Sequence, residues 1–488
     1  MLLHLTHLLV VSILHVLIAN AVAAGSSTPV VDVAIIGGGP AGLATALSLR
    51  RALGSKANIQ IFERAKTMKD VGAHVGLLPL CFDALDAIDP TGTLTSKVEK
   101  AGDCRTLLRR YNGEGILEED IPSDPQNKEE RVVVVPWHRL QEVLVGELRQ
   151  QEHGDSMLRL GCELVAMDMN DKPDDGKSGV VLSFSNGETC RAKIVIGADG
   201  NMSRVRSLLC GGDNNDENPV YAGSVIWRMG LSSGEIGQNI LKKISDTTTS
   251  TGVSNVWANN GRVLVAQKFG SGDSAKTYIS GQAAWPEDRL HMLDRQYCGN
   301  TGYNNVEKED VVDGGGRKEN RQPQTSALDR FLEEFQDFPR DIMDVVAKEC
   351  KVGSLLEHPI YFRPPGRPWG KSHATLLGDA AHGMPPNSAM GVPMALEDAV
   401  ALGHACFQYG CTDEALRAYE KARQTRVNTI ANAVISQSTG YYKDRDEDSN
   451  PFKVKGNEGI VSFVRNFQNK PVPQYGGNHA STQIRKKS

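Results

Sequence analysis

The chain has 488 residues, 40% of them hydrophobic, which is core material for roughly two or three domains and excludes a disordered class. With 54 Lys and Arg against 59 Asp and Glu, the net charge is −5 and no sustained basic patch occurs. Nothing would track a phosphate backbone, so nucleic acid is not an expected partner.

Residues 1–24 are apolar and uncharged, interrupted only by His4, Thr6, His7, Ser12, His15 and Asn20, and end in the small residues Ala21, Val22, Ala23 and Ala24. That ending reads as a cleaved signal peptide and places the chain in the secretory pathway, secreted or lumenal. The start lacks Lys or Arg, and the stretch nearly reaches the roughly 20 residues that span a bilayer. An uncleaved signal anchor, with membrane association through this segment, is the alternative, and an amphipathic leader the third reading.

Val30, Val31, Val33, Ile35 and Ile36 form a β-branched run that ends at Gly37, as a buried central strand does. A helix is expected from Pro40, where a fixed φ and a missing N–H are harmless. Gly37 permits the tight turn, Gly39 lets backbone approach a pyrophosphate, and Gly42 lets helix and strand pack closely. About twenty positions on, Ile59 to Phe62 read as a second strand closing with Glu63, placed to accept from ribose hydroxyls.

Further along, Ala192 to Ile196 run as a strand into Gly197, Ala198, Asp199 and Gly200, with Ser203 and Arg206 beyond. The plainer alternative is a strand followed by an Asp-Gly turn. The sequon Asn201-Met202-Ser203 follows directly, where a glycan would be hard to accommodate beside a cofactor. Ala374 to Leu377 then deliver Gly378 and Asp379, followed by Ala380, Ala381 and His382. Pro385, Pro386 and Gly391 lead into a helix beginning near Pro393. His382 reads as a packing or backbone-bonding residue, with an acid–base role as the alternative. Nine cysteines without a CxxC pair form neither a disulfide framework nor a metal site, although Cys406 and Cys411 are near enough for a local link.

These three motifs, in this order, resemble those of the single-component FAD-dependent aromatic hydroxylases, the flavoprotein monooxygenases of the para-hydroxybenzoate hydroxylase type. The resemblance runs from about Val30 to Val434 and includes Gly72-Ala73 with Leu77 and Pro79, and Tyr221-Ala222-Gly223 with Trp227-Arg228. It implies FAD held by Gly37, Gly39, Gly42, Glu63, Ala73, Gly378, Asp379 and Gly391, with Asp199-Gly200 serving both FAD and NAD(P)H. It also implies NADPH or NADH as a transient electron donor, and transfer of one oxygen atom of O2, through a flavin C4a-hydroperoxide, to a small aromatic or isoprenoid-like substrate. Two positions depart from the family. Ala389, Met390 and Gly391 stand where Gly-Gln-Gly is usual, with Pro393 for a frequent Asn, and Trp137 occupies the Arg of an Arg-x-x-Leu pattern. Arg139 is the candidate to supply that contact from a shifted place. Tyr221, Trp227 and Arg228 read as either cavity lining or sheet core and surface. No catalytic side chain is named, because in such enzymes the cofactor makes the bonds while the protein orients and excludes water.

The expected architecture is α/β: a Rossmann-like, discontinuous FAD-binding domain (residues 30–215 and 354–434, with about 103–131 on the substrate side) and an inserted β-sheet substrate domain (216–353). Strands are read at Val220 to Met229, Val263 to Phe269 and Thr277 to Ala283, a polar insertion at 298–325, and a C-terminal helix and mobile tail at 435–488. A single dinucleotide turn argues against a permanent NAD(P)H domain. The alternatives are a prenyl reductase-like flavin oxidoreductase, and an FAD-binding protein without turnover.

Overall fold

The computed structural model describes residues 29–70, 72–170, 179–210, 218–232, 252–270, 275–293, 325–350 and 355–443. The expected leader, the polar insertion up to residue 324 and the helix expected around Ile460 to Phe467 lie outside these residues.

The chain enters at β1 (Val30–Ile36), turns into α1 (Pro40–Leu53) and returns in β2 (Ile59–Glu63). Val33, Ala34 and Ile35 have no exposed surface, as expected of a parallel strand covered on both faces. Next come β3 (His74–Leu77), α2 (Pro79–Ile88), α3 (Thr93–Ala101), β4 (Asp103–Cys104), β5 (Leu107–Asn112), β6 (Leu117–Pro122), β7 (Val133–Pro136) and α4 (Trp137–Gln150). β8 (Leu158–Leu160), β9 (Leu164–Asn170), β10 (Gly179–Phe184) and β11 (Thr189–Gly197) lead to α5 (Arg204–Leu209). The excursion holds β12 (Val220–Ser232), β13 (Val253–Asn259), β14 (Arg262–Phe269), β15 (Lys276–Ala284), α6 (Ala327–Glu334), α7 (Arg340–Glu349) and β16 (Leu356–Phe362). The return is β17 (Gly370–Lys371), β18 (Ala374–Leu376), α8 (Asp379–His382), α9 (Gly391–Tyr409) and α10 (Asp413–Lys443).

The first sheet runs β17-β18-β11-β1-β2-β8, with β9 and β10 attached beside β11. Its central pairs β18·β11, β11·β1 and β1·β2 are parallel. Consequently Gly37, Glu63, Asp199 and Gly378 all emerge at the carboxyl ends of neighbouring strands, where an open α/β sheet forms its binding crevice. Sequence separations of up to 341 residues between Gly37 and Gly378 thereby collapse to one sheet edge.

The second sheet runs β16-β12-β15-β14-β13-β5-β6 and is antiparallel except at β13·β5. Alternate residues Val225, Trp227, Met229 and Leu231 of β12 enter a core with Phe331, Phe335 and Val346 from α6 and α7. The opposite face, carrying Ile226, Arg228 and Gly230, is left for the first domain. Trp227 Nε1 donates to Glu357 Oε1 at 2.8 Å, and Arg330 donates to both carboxylate oxygens of Glu357 at 2.9 and 2.5 Å, pinning α6 to the sheet. β16 differs from expectation. It pairs antiparallel with β12 in the second sheet, so the chain crosses back to the first sheet only after Phe362. Its sequence has no regular apolar–polar alternation to mark it for one sheet, and only the pairing decides. α9 likewise starts at Gly391, two residues earlier than the proline signal suggested.

Candidate active site

The glycine turn separates packing from exposure. Gly37 has φ +112°, and a Cβ there would lie 2.3 Å from the carbonyl oxygen of Ala198. A Cβ on Gly42 would lie 2.0 Å from the carbonyl of Gly37, whereas one on Gly39 would meet no protein atom within 4 Å. The first and third glycines therefore join helix and strands, and the middle one presents bare backbone at the start of α1. Glu63 is fixed beside it: one carboxylate oxygen accepts from Gly38 N at 2.7 Å and the other from Ala65 N at 2.8 Å. Gln141 of α4 donates to the Gly38 carbonyl at 3.1 Å. No sequence signal marks Gln141, because the contact spans 103 positions. Ala73 is buried and accepts the N–H of Trp137 at 2.9 Å, tying the segment before β3 to the start of α4. Arg139 stands in the first turn of α4, half-buried, and its charge reaches Tyr278 of β15.

Asp199 has a different neighbourhood. Its Oδ1 accepts from Ser203 Oγ at 2.6 Å, and its Oδ2 from the N–H groups of Arg204 and Val205 at 2.7 and 3.1 Å. Burial pushes this carboxyl up and those donors hold it down, with burial prevailing. The side chain is committed to opening α5, so this corner offers a ligand the backbone at Gly200, whose φ is +81°. Asn201 donates its side-chain N–H to the Tyr361 carbonyl at 2.7 Å, which occupies the nitrogen a glycan would need.

At the third corner Gly378 has φ +60°, and a Cβ would press on Ala41 at 3.2 Å and Ala395 at 3.3 Å. Gly378 N donates to Asp398 Oδ2 at 3.1 Å, and His382 Nε2 lies 2.6 Å from the same oxygen. Asp398 Oδ1 accepts from Arg423 Nε at 2.7 Å, while Arg423 and Arg426 together hold Glu397 at 2.5 to 3.0 Å. His382 is buried, 5.3 Å from the ring of Trp369, so its role is to brace the turn. Asp379, between these braced positions, makes no side-chain hydrogen bond to a described residue and remains accessible. Protein still surrounds it closely enough for burial to raise its carboxyl, against the opposing charges of His382 and Arg228. Gly391 opens α9 opposite, its Cβ direction 3.7 Å from Asp379 Oδ1. The family departures are absorbed here: Met390 is buried in the core, and Pro393 lies in the first turn, where its missing N–H has no intrahelical partner to lose.

Bare backbone at Gly39, a fixed carboxylate at Glu63 and an uncommitted carboxylate at Asp379 facing a helix start are the parts that FAD requires. A family model described as "FAD binding domain" matches residues 30–226 and 367–434, more than half of the chain. The chain belongs to this FAD-binding family. Among curated relatives, aurachin C monooxygenase/isomerase of Stigmatella aurantiaca is 27% identical over 399 residues, covering 81% of this chain and 86% of that one. The 3-hydroxybenzoate 6-hydroxylase of Klebsiella oxytoca is 26% identical over 405 residues, 82% of this chain and 86% of the relative. Klebsiella pneumoniae HpxO, solved with FAD and uric acid, superposes with a TM-score of 0.63 at 18% identity, covering 85% of this chain and 89% of that one. This flavoprotein is an FAD-dependent monooxygenase, an oxidoreductase built on the aromatic-hydroxylase fold.

The second sheet closes the flavoprotein's cleft. A Cβ on Gly72 would lie 3.0 Å from Gly230 N, so the loop before β3 rests directly on β12. Asp70 of that loop accepts from Gly72 N at 3.0 Å and Tyr278 O–H at 2.8 Å, and lies 3.2 Å from both Lys276 and His138. Burial raises the Asp70 carboxyl, and these partners more than offset it, leaving it low. Arg228 reaches from β12 toward Asp379. Its guanidinium is brought down to about 10 by burial, with the Asp379 charge opposing. Trp227 is sheet core, so the neighbouring residues read together from sequence divide between the two faces. Cys406 and Cys411 are both free.

Proposed function

We propose that this monooxygenase oxygenates a small aromatic substrate held between the Arg228 face of β12 and the Gly378–Gly391 corner, with NADH or NADPH as a visiting electron donor. Bound FAD supplies the chemistry: it accepts the donor's electrons and activates O2. The observation that carries the reading is the contact between the second sheet and the third corner: Gln282 of β15 lies 3.4 Å from Asn387, and strand parity turns Ile226 and Arg228 of the adjacent β12 to that same face. A ring bound on this face would lie against the Gly378–Gly391 corner.

The chain's own residues orient, shield and stabilise. The first turn of α9 leaves N–H groups without intrahelical partners, and these together with the helix dipole favour negative charge beside Gly391. Gln282 of β15 donates to Asn387 and Ser224, each at 3.4 Å, linking the sheet to the Pro385-Pro386 segment and closing that wall to water. Supporting names among relatives include 3-hydroxybenzoate 6-hydroxylase and 6-hydroxynicotinate 3-monooxygenase of Pseudomonas fluorescens, both acting on small rings. A screen for substrate-stimulated NAD(P)H oxidation, scored against peroxide release, tests the reading. A ring compound that raises oxidation without a matching rise in peroxide is expected; stimulation matched mole for mole by peroxide, with no oxygenated product from any compound, would contradict it.

For localisation, the apolar leader supports entry into the secretory pathway, with anchoring by residues 1–24 as the alternative. Among the described residues no helix is long and apolar enough to cross a membrane. Detergent-free extraction of the tagged full chain from its native cells, with sequencing of its mature N-terminus, separates cleavage from anchoring.

A further inference from the structure

We propose that the end of the first sheet opposite the cofactor crevice is seated on a zwitterionic lipid bilayer, with Val30, Phe407 and Tyr409 entering its interfacial layer. The proposal rests on the anchored alternative for residues 1–24 and adds which face of the folded chain the membrane takes. Two elements define that end. The Val30 carbonyl accepts from the Asn58 side chain at 3.0 Å and the Pro29 carbonyl from the N–H of Arg191 at 2.9 Å, so the chain before Pro29 leaves from the amino ends of β1, β2 and β11. α9 starts at Gly391 beside Asp379, packs Gly403 against Ser48 of α1, and stops at Tyr409. At about 1.5 Å per residue it runs the full height of the sheet, from the crevice to the opposite end. Gly410, at φ +72°, terminates it. The turn that follows comes back to the start of β1, where the charges of Asp32 and Lys193, themselves paired at 2.7 Å, act on the Cys411 thiol.

Exposure singles this end out. Val30 is 52% exposed, Phe407 49% and Tyr409 42%, although Ala405 and Cys406 just before them lie in the core. One exposed apolar side chain needs no partner, but three gathered at one end, two of them aromatic, do. A tyrosine suits the boundary of a bilayer, its ring apolar and its hydroxyl able to meet headgroups. Charge does not supply the attraction. Lys193 is held by Asp32, and the exposed Arg51 and Lys56 are offset by the exposed Glu152 and Glu414. The contact is therefore apolar, which selects a lipid surface over a charged partner. Chain length makes the same choice. Only Gly25, Ser26, Ser27 and Thr28 separate Ala24 from Pro29, a reach of less than about 20 Å even when fully extended. An anchored leader thus keeps Pro29 close to the bilayer, and Val30, Phe407 and Tyr409 are the side chains presented there. The crevice at Gly37 stands at the other end of β1, about 20 Å further out. Substrate then reaches it from water, not from the lipid.

The test is quenching by brominated lipid, on the full chain reconstituted in phosphatidylcholine vesicles. Phe407→Trp and Tyr409→Trp are the reporters, and Ile116→Trp, on the exposed turn between β5 and β6 of the second sheet, is the control. Emission added over the wild type is compared between brominated and plain vesicles. Both reporters are expected to lose about a third or more of that added emission while the control keeps its own. High salt should leave the loss unchanged. No quenching at either reporter, equal quenching at all three positions, or quenching abolished by high salt would each overturn the proposal. So would blue-shifted reporters that bromine does not touch together with a doubled mass in detergent, the result expected if a second copy covers this face. Sequencing the N-terminus of the same preparation keeps the two readings apart. A retained leader without quenching overturns the membrane face alone, whereas a cleaved leader removes the anchor and the proposal with it.

Discussion

Gly39 and Gly42 are three positions apart in one turn, yet they answer to different constraints. A methyl group on Gly42 collides with the Gly37 carbonyl, and one on Gly39 meets no protein atom. Gly42→Ala is therefore expected to lower the melting temperature sharply or prevent folding, whereas Gly39→Ala should melt with the wild type. Thermal unfolding of the two variants checks this. A Gly39→Ala protein as damaged as Gly42→Ala would contradict the division of labour. A second residue-scale expectation concerns His74 and His358. Their folded-state values of about 4 and about 3 lie below the ordinary 6.5, so between those limits the unfolded chain binds more protons than the folded one. Their effect is absent above about pH 6.5 and grows into a destabilisation as pH falls toward 4, on the order of a few kcal/mol for the two together. His74→Asn/His358→Asn should flatten the decline of melting temperature over that range. An unchanged slope would contradict their suppressed protonation. Neither histidine was legible in the sequence, since each is enclosed only through pairing with a distant strand. Gly37, Gly42 and Glu63 were legible because strand, turn and helix are contiguous there.

Among elements, α10 is the one whose importance sequence hides most. Its Arg423 reaches back to Asp398 and Glu397 of α9, and Asp398 in turn holds both Gly378 N–H and His382. Burial raises the Asp398 carboxyl and the charges of His382 and Arg423 reverse that, leaving it low. Arg423→Met leaves two carboxylates buried without their cation, and a loss of about 3–5 kcal/mol is expected. Chemical denaturation of the purified variant measures it; a loss near zero would mean that the network does not brace the Gly378 corner. The glutamate-aspartate pair after Leu396 reads in sequence as ordinary helix, because its partners lie 25 to 29 positions away. β16 shows the same limit. Its residues show no regular apolar–polar alternation, and only its antiparallel pairing with β12, not its own pattern, assigns it to the second sheet.

At the scale of the molecule, the two larger of the three sheets among the described residues, each with its own core, meet over one cleft. The first gathers three glycine corners, two of them carrying an aspartate, at the carboxyl ends of parallel strands. The second supplies Arg228 and rests on the Gly72 loop. The order of motifs made the returning topology readable, since each corner carries its own local signature. The composition of the cleft's far wall was not readable, because strand parity and register decide which of two adjacent residues, Trp227 or Arg228, faces it. The most direct measurement is the amount of FAD bound per chain, read from the flavin absorbance of purified wild type, Gly39→Ala and Asp379→Ala after incubation with excess cofactor. The account predicts one FAD per wild-type chain, with both variants folded and largely colourless. A wild-type chain that takes up no FAD, or variants that bind it as the wild type does, would contradict it.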